Sequence, residues 1–306
     1  MSNNIWENIP AEMHPMFDGK MDKYYRDHGK KKPLVVLSCS YGKDSTYCLL
    51  QIVDQGLPLD LVVFVDTGWE FPQMYQHIEK VKKYVQDKRG DSVMFVHIKS
   101  KKGFDNMLQK YRWPAANRRW CTAEKIALLN RFYKKYIYSQ ELEIIEIIGF
   151  AADEENRIEG KRNDKKKSKK IWSWFPMGSQ EWNTDEQEAL LYCKERGFAW
   201  SGLYNHFDRV SCFCCPLKSN QEIRVLREHF PDLWAEMLHK EDSIPESENY
   251  ITFRGKDSLH ALDRKLGAKA KLFNFEYIKS APRVKKIRNK AVSVNNQNQM
   301  SLFGTV

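Results

Sequence analysis

The sequence predicts an α/β protein built on a parallel sheet, and three observations carry that reading. Strand-length apolar runs recur at Leu34–Ser38, Leu61–Asp66, 93–98 and 143–150. Amphipathic stretches of helical length separate them, at 45–55, 71–87 and 122–138. The two patterns alternate along the chain, which calls for crossover connections and right-handed βαβ units rather than hairpins. In such sheets ligands gather beyond the carboxyl ends of the strands, so functional residues are expected there.

The first strand, Leu34-Val35-Val36-Leu37, empties into Ser38-Cys39-Ser40-Tyr41-Gly42-Lys43-Asp44-Ser45-Thr46. A buried strand, a small polar turn and a helix start together form a phosphate cradle. The turn offers backbone N–H groups and the helix adds the positive end of its dipole. It is not a Walker A loop, because Gly42-Lys43 is followed by Asp44 and Leu37 stands where the earlier glycine belongs. Leu49, Leu50, Ile52 and Val53 give the following helix its apolar face, and Gly56-Leu57-Pro58 stops it. The second strand ends in Val65-Asp66-Thr67-Gly68-Trp69-Glu70-Phe71-Pro72, and the fourth in Gly149-Phe150-Ala151-Ala152-Asp153-Glu154-Glu155-Asn156-Arg157. Both set acids and small residues where a nucleotide would lie.

Residues 157–170 carry Arg157, Lys161, Arg162, Lys165, Lys166, Lys167, Lys169 and Lys170. They read as an exposed loop, either a solvated insertion or an arm over phosphates or a nucleic-acid backbone. Trp172-x-Trp174 alternates like a half-buried strand and is assigned to the core. Helical stretches at 185–196 and 220–230 flank the turn Ser211-Cys212-Phe213-Cys214-Cys215-Pro216-Leu217.

At 306 residues, 42% hydrophobic and 29% charged, the chain can bury one sizeable core with a small appendage. No apolar stretch reaches membrane-span length, and Met1 to Pro10 lacks the apolar segment of a secretory signal, so a cytoplasmic protein without a membrane partner is expected. Seven cysteines, an odd number, favour free thiols or metal ligands over a disulfide framework. The net charge of +10 favours polyanionic partners, nucleic acid or nucleotides.

The turn after the first strand resembles the PP-loop, Ser-Gly-Gly-x-Asp-Ser, of ATP pyrophosphatases, which cleave ATP between the α and β phosphates; Tyr41 replaces the first glycine. With Asp-Thr-Gly-x-x-Phe-Pro at residues 66–72, the chain resembles the phosphoadenosine phosphosulfate (PAPS) reductase family from about residue 30 to about 220. The stretch from Gly149 to Arg157 is similar to that family's Gly-x-Arg-x-x-Glu-Ser-x-x-Arg motif, with Asp153 and Asn156 departing from it and Arg157 keeping the terminal arginine. The resemblance implies an adenine nucleotide α-hydrolase-like fold, with helices on both faces of the sheet. It implies ATP with its β and γ phosphates on Ser38, Ser40, Gly42, Lys43, Asp44, Ser45 and Thr46, and Mg²⁺ oriented by Asp44. Asp66, Thr67 and Gly68 would border the adenosine. Arg118, Arg119 and Arg157 would clamp the α-phosphate or an anionic acceptor, and Lys43, Asp44, Ser45 and Arg157 form the catalytic set. The expected organisation is an N-terminal segment (1–29), a catalytic domain (30–245), a basic subdomain (246–290) and a tail (291–306).

Cys212 and Cys215 form a C-x-x-C, a spacing at which one turn gives two thiolates to one metal. In the family's iron–sulfur members an Arg-Cys-Cys-x-x-x-Lys segment pairs with a later C-x-x-C around a [4Fe–4S] cluster. Here Arg119-Trp120-Cys121 and Lys125 match it with Trp120 in place of one cysteine, which implies Cys121, Cys212 and Cys215 as ligands, Cys214 or a non-protein group as the fourth, and Zn²⁺ as the alternative metal. Sulfonucleotide reductases of the family use a catalytic cysteine near the C-terminus, and no cysteine follows Cys215. The resemblance therefore points first to the ATP-hydrolysing sulfur-activation proteins, such as those of DNA phosphorothioate modification. A phosphoadenylyl-sulfate reductase and a non-catalytic DNA-binding module are the alternatives. The ending Gln299-Met300-Ser301-Leu302-Phe303 resembles the pentapeptide that docks into the DNA sliding clamp, with Leu302 and Phe303 filling an apolar pocket and Gln299 bonding at its rim.

Overall fold

A computed structural model describes residues 33–138, 143–163, 171–244, 252–254 and 257–270. Five strands make one sheet: β1 (Leu34–Ser38), β2 (Leu61–Asp66), β3 (Met94–Lys99), β4 (Ile144–Ile147) and β5 (Ile171–Trp174). Every neighbouring pair is parallel, in the order β3-β2-β1-β4-β5. The chain steps outward from β1 to β3, then returns to the far side of β1 for β4 and β5. The order therefore reverses between β1 and β4, the position at which open α/β sheets bind ligands. Leu37 pairs with Ile147, so the two strands end level and their exit loops face each other.

The helices are α1 (Lys43–Asp54), α2 (Pro72–Arg89), α3 (Gly103–Tyr111), α4 (Trp120–Tyr136), α5 (Glu155–Arg162), α6 (Glu186–Glu195), α7 (Asn220–His229), α8 (Pro231–Asp242) and α9 (Leu259–Ala270). Val36, Leu61, Val63 and Ile144 pack with Tyr133 and Ile137 at the end of α4. Val35 and Leu37 alternate to the opposite side and are equally buried. Cover on both faces is why β1 and β2 read as unbroken apolar runs. On the opposite side α1 packs against α2 and α6.

Three readings are corrected. The first helix begins at Lys43 rather than Ser45. Tyr41 adopts a left-handed φ of 57° and Gly42 is extended, so the turn is finished by residue 42. Lys43, Asp44 and Ser45 are thus the first helical turn, where N–H groups lack intrahelical acceptors. Residues 157–162 of the stretch expected to be an exposed loop (157–170) belong to helix α5; only Ile158 of that helix is buried, which leaves no apolar period to see. Helices α3 and α8 were not legible in the pattern.

The chain divides into two compact units, Met1–Asp263 and Arg264–Val306. Lys165, Lys166, Lys167, Lys169 and Lys170 of the basic run lie outside the described residues, as do Gln299, Leu302 and Phe303. Among the described residues no helix is long and apolar enough to cross a membrane.

His77 ties α2 to the start of α1. Its Nε2 lies 3.2 Å from Thr46 Oγ1, and its ring stacks on Trp200 with centroids 4.3 Å apart. Burial, helped by Lys80, lowers its pKa from 6.5 to about 3. The folded protein therefore holds His77 neutral while the unfolded chain protonates below pH 6.5, and stability from this residue is lost as pH falls. The advantage of wild type over His77→Gln in denaturant unfolding is expected to shrink by roughly 3 kcal/mol between neutral pH and about pH 4.5. A difference independent of pH would refute the buried neutral imidazole.

Candidate active site

At the mouth of β1 and β4 a cavity of about 230 Å³ is lined on one side by Ser38, Ser40, Gly42, Lys43, Asp44 and Ser45. Ile148, Gly149, Phe150, Glu154 and Arg157 form the β4 side, and Glu186, Tyr204 and residues 208–211 close it. Residue spacing explains the first wall: β1 delivers the loop, and the first turn of α1 aims N–H groups at the cavity. Ser45 Oγ donates to the Gly42 carbonyl at 3.3 Å and lies 3.2 Å from Ser40 Oγ, so both hydroxyls sit on the loop.

Gly149 is required by a close approach. A Cβ there would lie 3.0 Å from the carbonyl carbon and oxygen of Asp44 and from Ser45 N. The exit of β4 is thus pressed against the peptide bond whose N–H belongs to the first turn of α1.

Lys43 Nζ pairs with Glu186 at 2.9 Å and lies 3.9 Å from Asp44. Asp44 Oδ1 is buried without a hydrogen-bond partner. Burial raises the Asp44 carboxyl from 3.8 to about 7; Lys43 and Arg157 oppose that rise, while Glu186 and Glu154 add to it. The folded state therefore holds an extra proton between those values, and this residue's contribution to stability falls as pH rises through the window. Arg157 pairs with Glu154 and lies over the Phe150 ring, 4.2 Å from its centroid.

The phosphoadenosine phosphosulfate reductase domain profile matches residues 34–218, from β1 through the cysteine turn. The chain belongs to that family. Two uncharacterized proteins of Methanocaldococcus jannaschii are similar to it. One is 26% identical over 246 residues, 75% of this chain and 48% of its own length. The other is 28% identical over 233 residues, 71% and 51%. The chain thus spans about half the length of the curated relatives it matches. Among solved structures it is similar to a PAPS reductase from Candida auris in a phosphate complex, at 14% identity and TM-score 0.38, covering 67% of this chain and 96% of that one. It is also similar to the U34-tRNA thiolase NcsA of Methanococcus maripaludis with its [4Fe–4S] cluster, at 17% identity and TM-score 0.38, covering 82% and 88%.

Other residues singled out in this PAPS reductase-family chain lie apart from the cavity lining. Thr46 is fully buried against His77. Asp66 accepts hydrogen bonds from Gly68 N–H (2.7 Å) and the Tyr75 hydroxyl (3.0 Å), and its other oxygen lies 3.0 Å from His97 Nε2. It shapes the turn that carries Thr67 and Gly68. Arg118 and Arg119 are exposed just before α4.

Thr67 Oγ1 lies 3.6 Å from Cys212 Sγ, and the Cys212 thiol donates to Glu70 Oε1 at 3.5 Å. Lys125 bonds the same oxygen at 2.9 Å, while Glu70 Oε2 is buried without a partner. Burial raises the Cys212 thiol, as does Glu70, while Lys125 opposes them. Cys121 and Cys215 are half-buried and Cys214 is fully buried. Among the described residues no three cysteine, histidine or carboxylate side chains converge on a metal-ion position. The donors are chemically suited to iron or zinc, and Cys121, Cys212, Cys214 and Cys215 lie near enough for their charges to act on one another. Burial likewise pushes the Cys39 thiol up, to about 12.

Sequence reasoning missed Glu186, Tyr204 and residues 208–211. Glu186 follows the Asp185 capping box in the first turn of α6, a signal for a helix start but not for a site. The other residues reach the cavity through tertiary packing alone.

Proposed function

We propose that this chain is an AMP-forming ATP pyrophosphatase that adenylates an acceptor for sulfur transfer, with DNA as the acceptor class. The observation that carries the reading is the convergence at the β1/β4 reversal of the first turn of α1, Lys43, Ser45 and Arg157 around one cavity. The β and γ phosphates lie against the residue 40–45 loop, with N–H groups and the Ser40 and Ser45 hydroxyls as donors. An acceptor oxygen attacks the α-phosphorus and the bond to the bridging oxygen breaks. Pyrophosphate leaves with the electron pair, and Lys43 offsets the charge it gains. A sulfur nucleophile then displaces AMP from the acceptor. Arg157 exchanges Glu154 for the α-phosphate.

Four carboxylates (Asp44, Glu154, Glu186, Asp208) and three cations (Lys43, Arg157, Arg209) line the cavity, so it carries no cationic excess for a free triphosphate. A divalent cation resolves this, and the orphaned, reluctantly ionised Asp44 oxygen is suited to hold Mg²⁺ with its nucleotide. The net charge of +10 supports a polyanionic acceptor.

The test is release of AMP and pyrophosphate from ATP, with and without duplex DNA, and with Mg²⁺ or excess EDTA. Expected are AMP formation stimulated by DNA, its loss in Ser45→Ala, and abolition by EDTA. ADP as product, or sulfite from PAPS with thioredoxin, would replace this reading. Intact ATP under every condition would leave a non-catalytic module.

A further inference from the structure

Tyr204 lies 161 residues from the phosphate loop yet contacts it at its most sensitive point. The Lys43 backbone N–H, first in α1, donates to the Tyr204 hydroxyl oxygen at 2.7 Å. That N–H is one of the donors a helix start offers an anion, and here it is already occupied. The phenol has used a lone pair to accept, so its own proton remains to be given. Tyr204 lines the cavity, and its oxygen packs 3.4 Å from where a Cβ on Gly42 would stand.

The segment bearing it is held in an unusual shape. Trp200 and Ser201 have φ of 48° and 50°, and Gly202 has φ of 82°. Trp200 is buried and donates its indole N–H to the Tyr41 carbonyl at 2.8 Å. Its ring meets Tyr204 edge-on, with centroids 4.8 Å apart. One short segment thus fixes both ends of the turn, Tyr41 through Trp200 and Lys43 through Tyr204.

We propose that Tyr204 is a phosphate-binding residue: it relays the helix terminus, accepting from Lys43 N–H and donating its O–H to a phosphate oxygen of the bound nucleotide. Accepting one hydrogen bond polarises the phenol and strengthens its donation of the next. The relay extends the reach of α1 into the cavity by one hydroxyl. A phosphate oxygen is also a stronger, charge-assisted acceptor for that O–H than water is. This inference rests on the reading that phosphate occupies the residue 40–45 loop.

Calorimetric titration of the full chain with Mg-ATP and with magnesium pyrophosphate separates the two claims. Tyr204→Phe is expected to weaken both ligands about tenfold, the worth of one charge-assisted hydrogen bond. Replacing Tyr204 with 3-fluorotyrosine, a stronger donor and weaker acceptor, is expected to tighten both. A residue that merely props the loop predicts weaker or unchanged binding there, so fluorination without tightening overturns the relay, as does Tyr204→Phe binding as well as wild type. Should wild type bind neither ligand, the proposed function falls and the relay with it. Should wild type bind, and Lys43→Met bind less well, while both Tyr204 variants match wild type, the relay alone falls.

Discussion

Gly149→Ala is expected to abolish ATP binding by this chain at millimolar nucleotide and to lower its unfolding free energy, while Gly160→Ala leaves binding intact and raises the unfolding free energy slightly. The two substitutions add the same methyl group to different surroundings. At Gly149 the new Cβ would lie 3.0 Å from three backbone atoms of the Asp44–Ser45 peptide. Backbone in the first turn of a helix cannot rotate away as a side chain can, so either the β4 exit loop or the start of α1 must move. Overpacking of this kind costs about 1–3 kcal/mol. The functional loss is larger than that, because the displaced peptide carries the Ser45 N–H that the cavity presents. At Gly160, on the exposed face of α5, nothing lies within contact distance. Alanine there removes backbone entropy and stabilises by roughly 0.5–1 kcal/mol. Nucleotide titration with thermal unfolding of both variants checks this. Wild-type affinity in Gly149→Ala would mean that the loop-to-helix contact does not position the donors.

The same contact shows what could be read from the chain beforehand. The strand Leu34–Ser38 and the turn after it announce themselves locally, because an apolar run followed by small polar residues leaves the backbone few choices. Ser38, Ser40, Gly42, Lys43, Asp44 and Ser45 therefore line the cavity beyond the end of β1. Arg157 does so too, although on a helix rather than a loop. Asp66 has the right local sequence but spends its oxygens on Gly68, Tyr75 and His97, partners up to 31 residues away whose arrival no window around position 66 records. The far wall is harder still. Tyr204 and Glu186 sit in segments whose sequences encode a strained turn and a capped helix start, and they line the cavity only because α6 and the 200–205 segment meet α1. The left-handed Tyr41 belongs to this class as well. A tyrosine in a glycine position looks like a defect until its carbonyl is seen bonded to Trp200 and its ring set edge-on to Phe64 at 5.4 Å.

Lys43→Met is expected to reduce AMP formation by at least a hundredfold, and Glu186→Gln to lower the KM for ATP without raising kcat. Lys43 is nearly buried and spends its charge on Glu186 at 2.9 Å, with Asp44 slightly farther off. In the reaction proposed here the lysine must share that charge with the departing pyrophosphate. A preorganised cation facing developing negative charge contributes about 3 kcal/mol or more to the barrier, which sets the hundredfold scale. Methionine keeps the length and apolar stem of lysine, so packing against the Tyr204 ring persists while the charge is removed. It also leaves Glu186 and Asp44 facing each other without their shared cation. The Asp44 carboxyl, already raised to about 7 by burial and its acidic neighbours, would rise further. Any residual activity of Lys43→Met is therefore expected to appear at higher pH than in wild type, since in the proposed reaction Mg²⁺ needs Asp44 ionised. Glu186→Gln acts in the opposite sense: it removes the carboxylate that competes with phosphate for the lysine, so ground-state binding tightens while the leaving-group interaction is unchanged. Steady-state kinetics over a pH series measures both. Equal kcat/KM for Lys43→Met and wild type would remove the lysine from the chemistry, and a raised KM in Glu186→Gln would show that the ion pair positions Lys43 rather than restraining it.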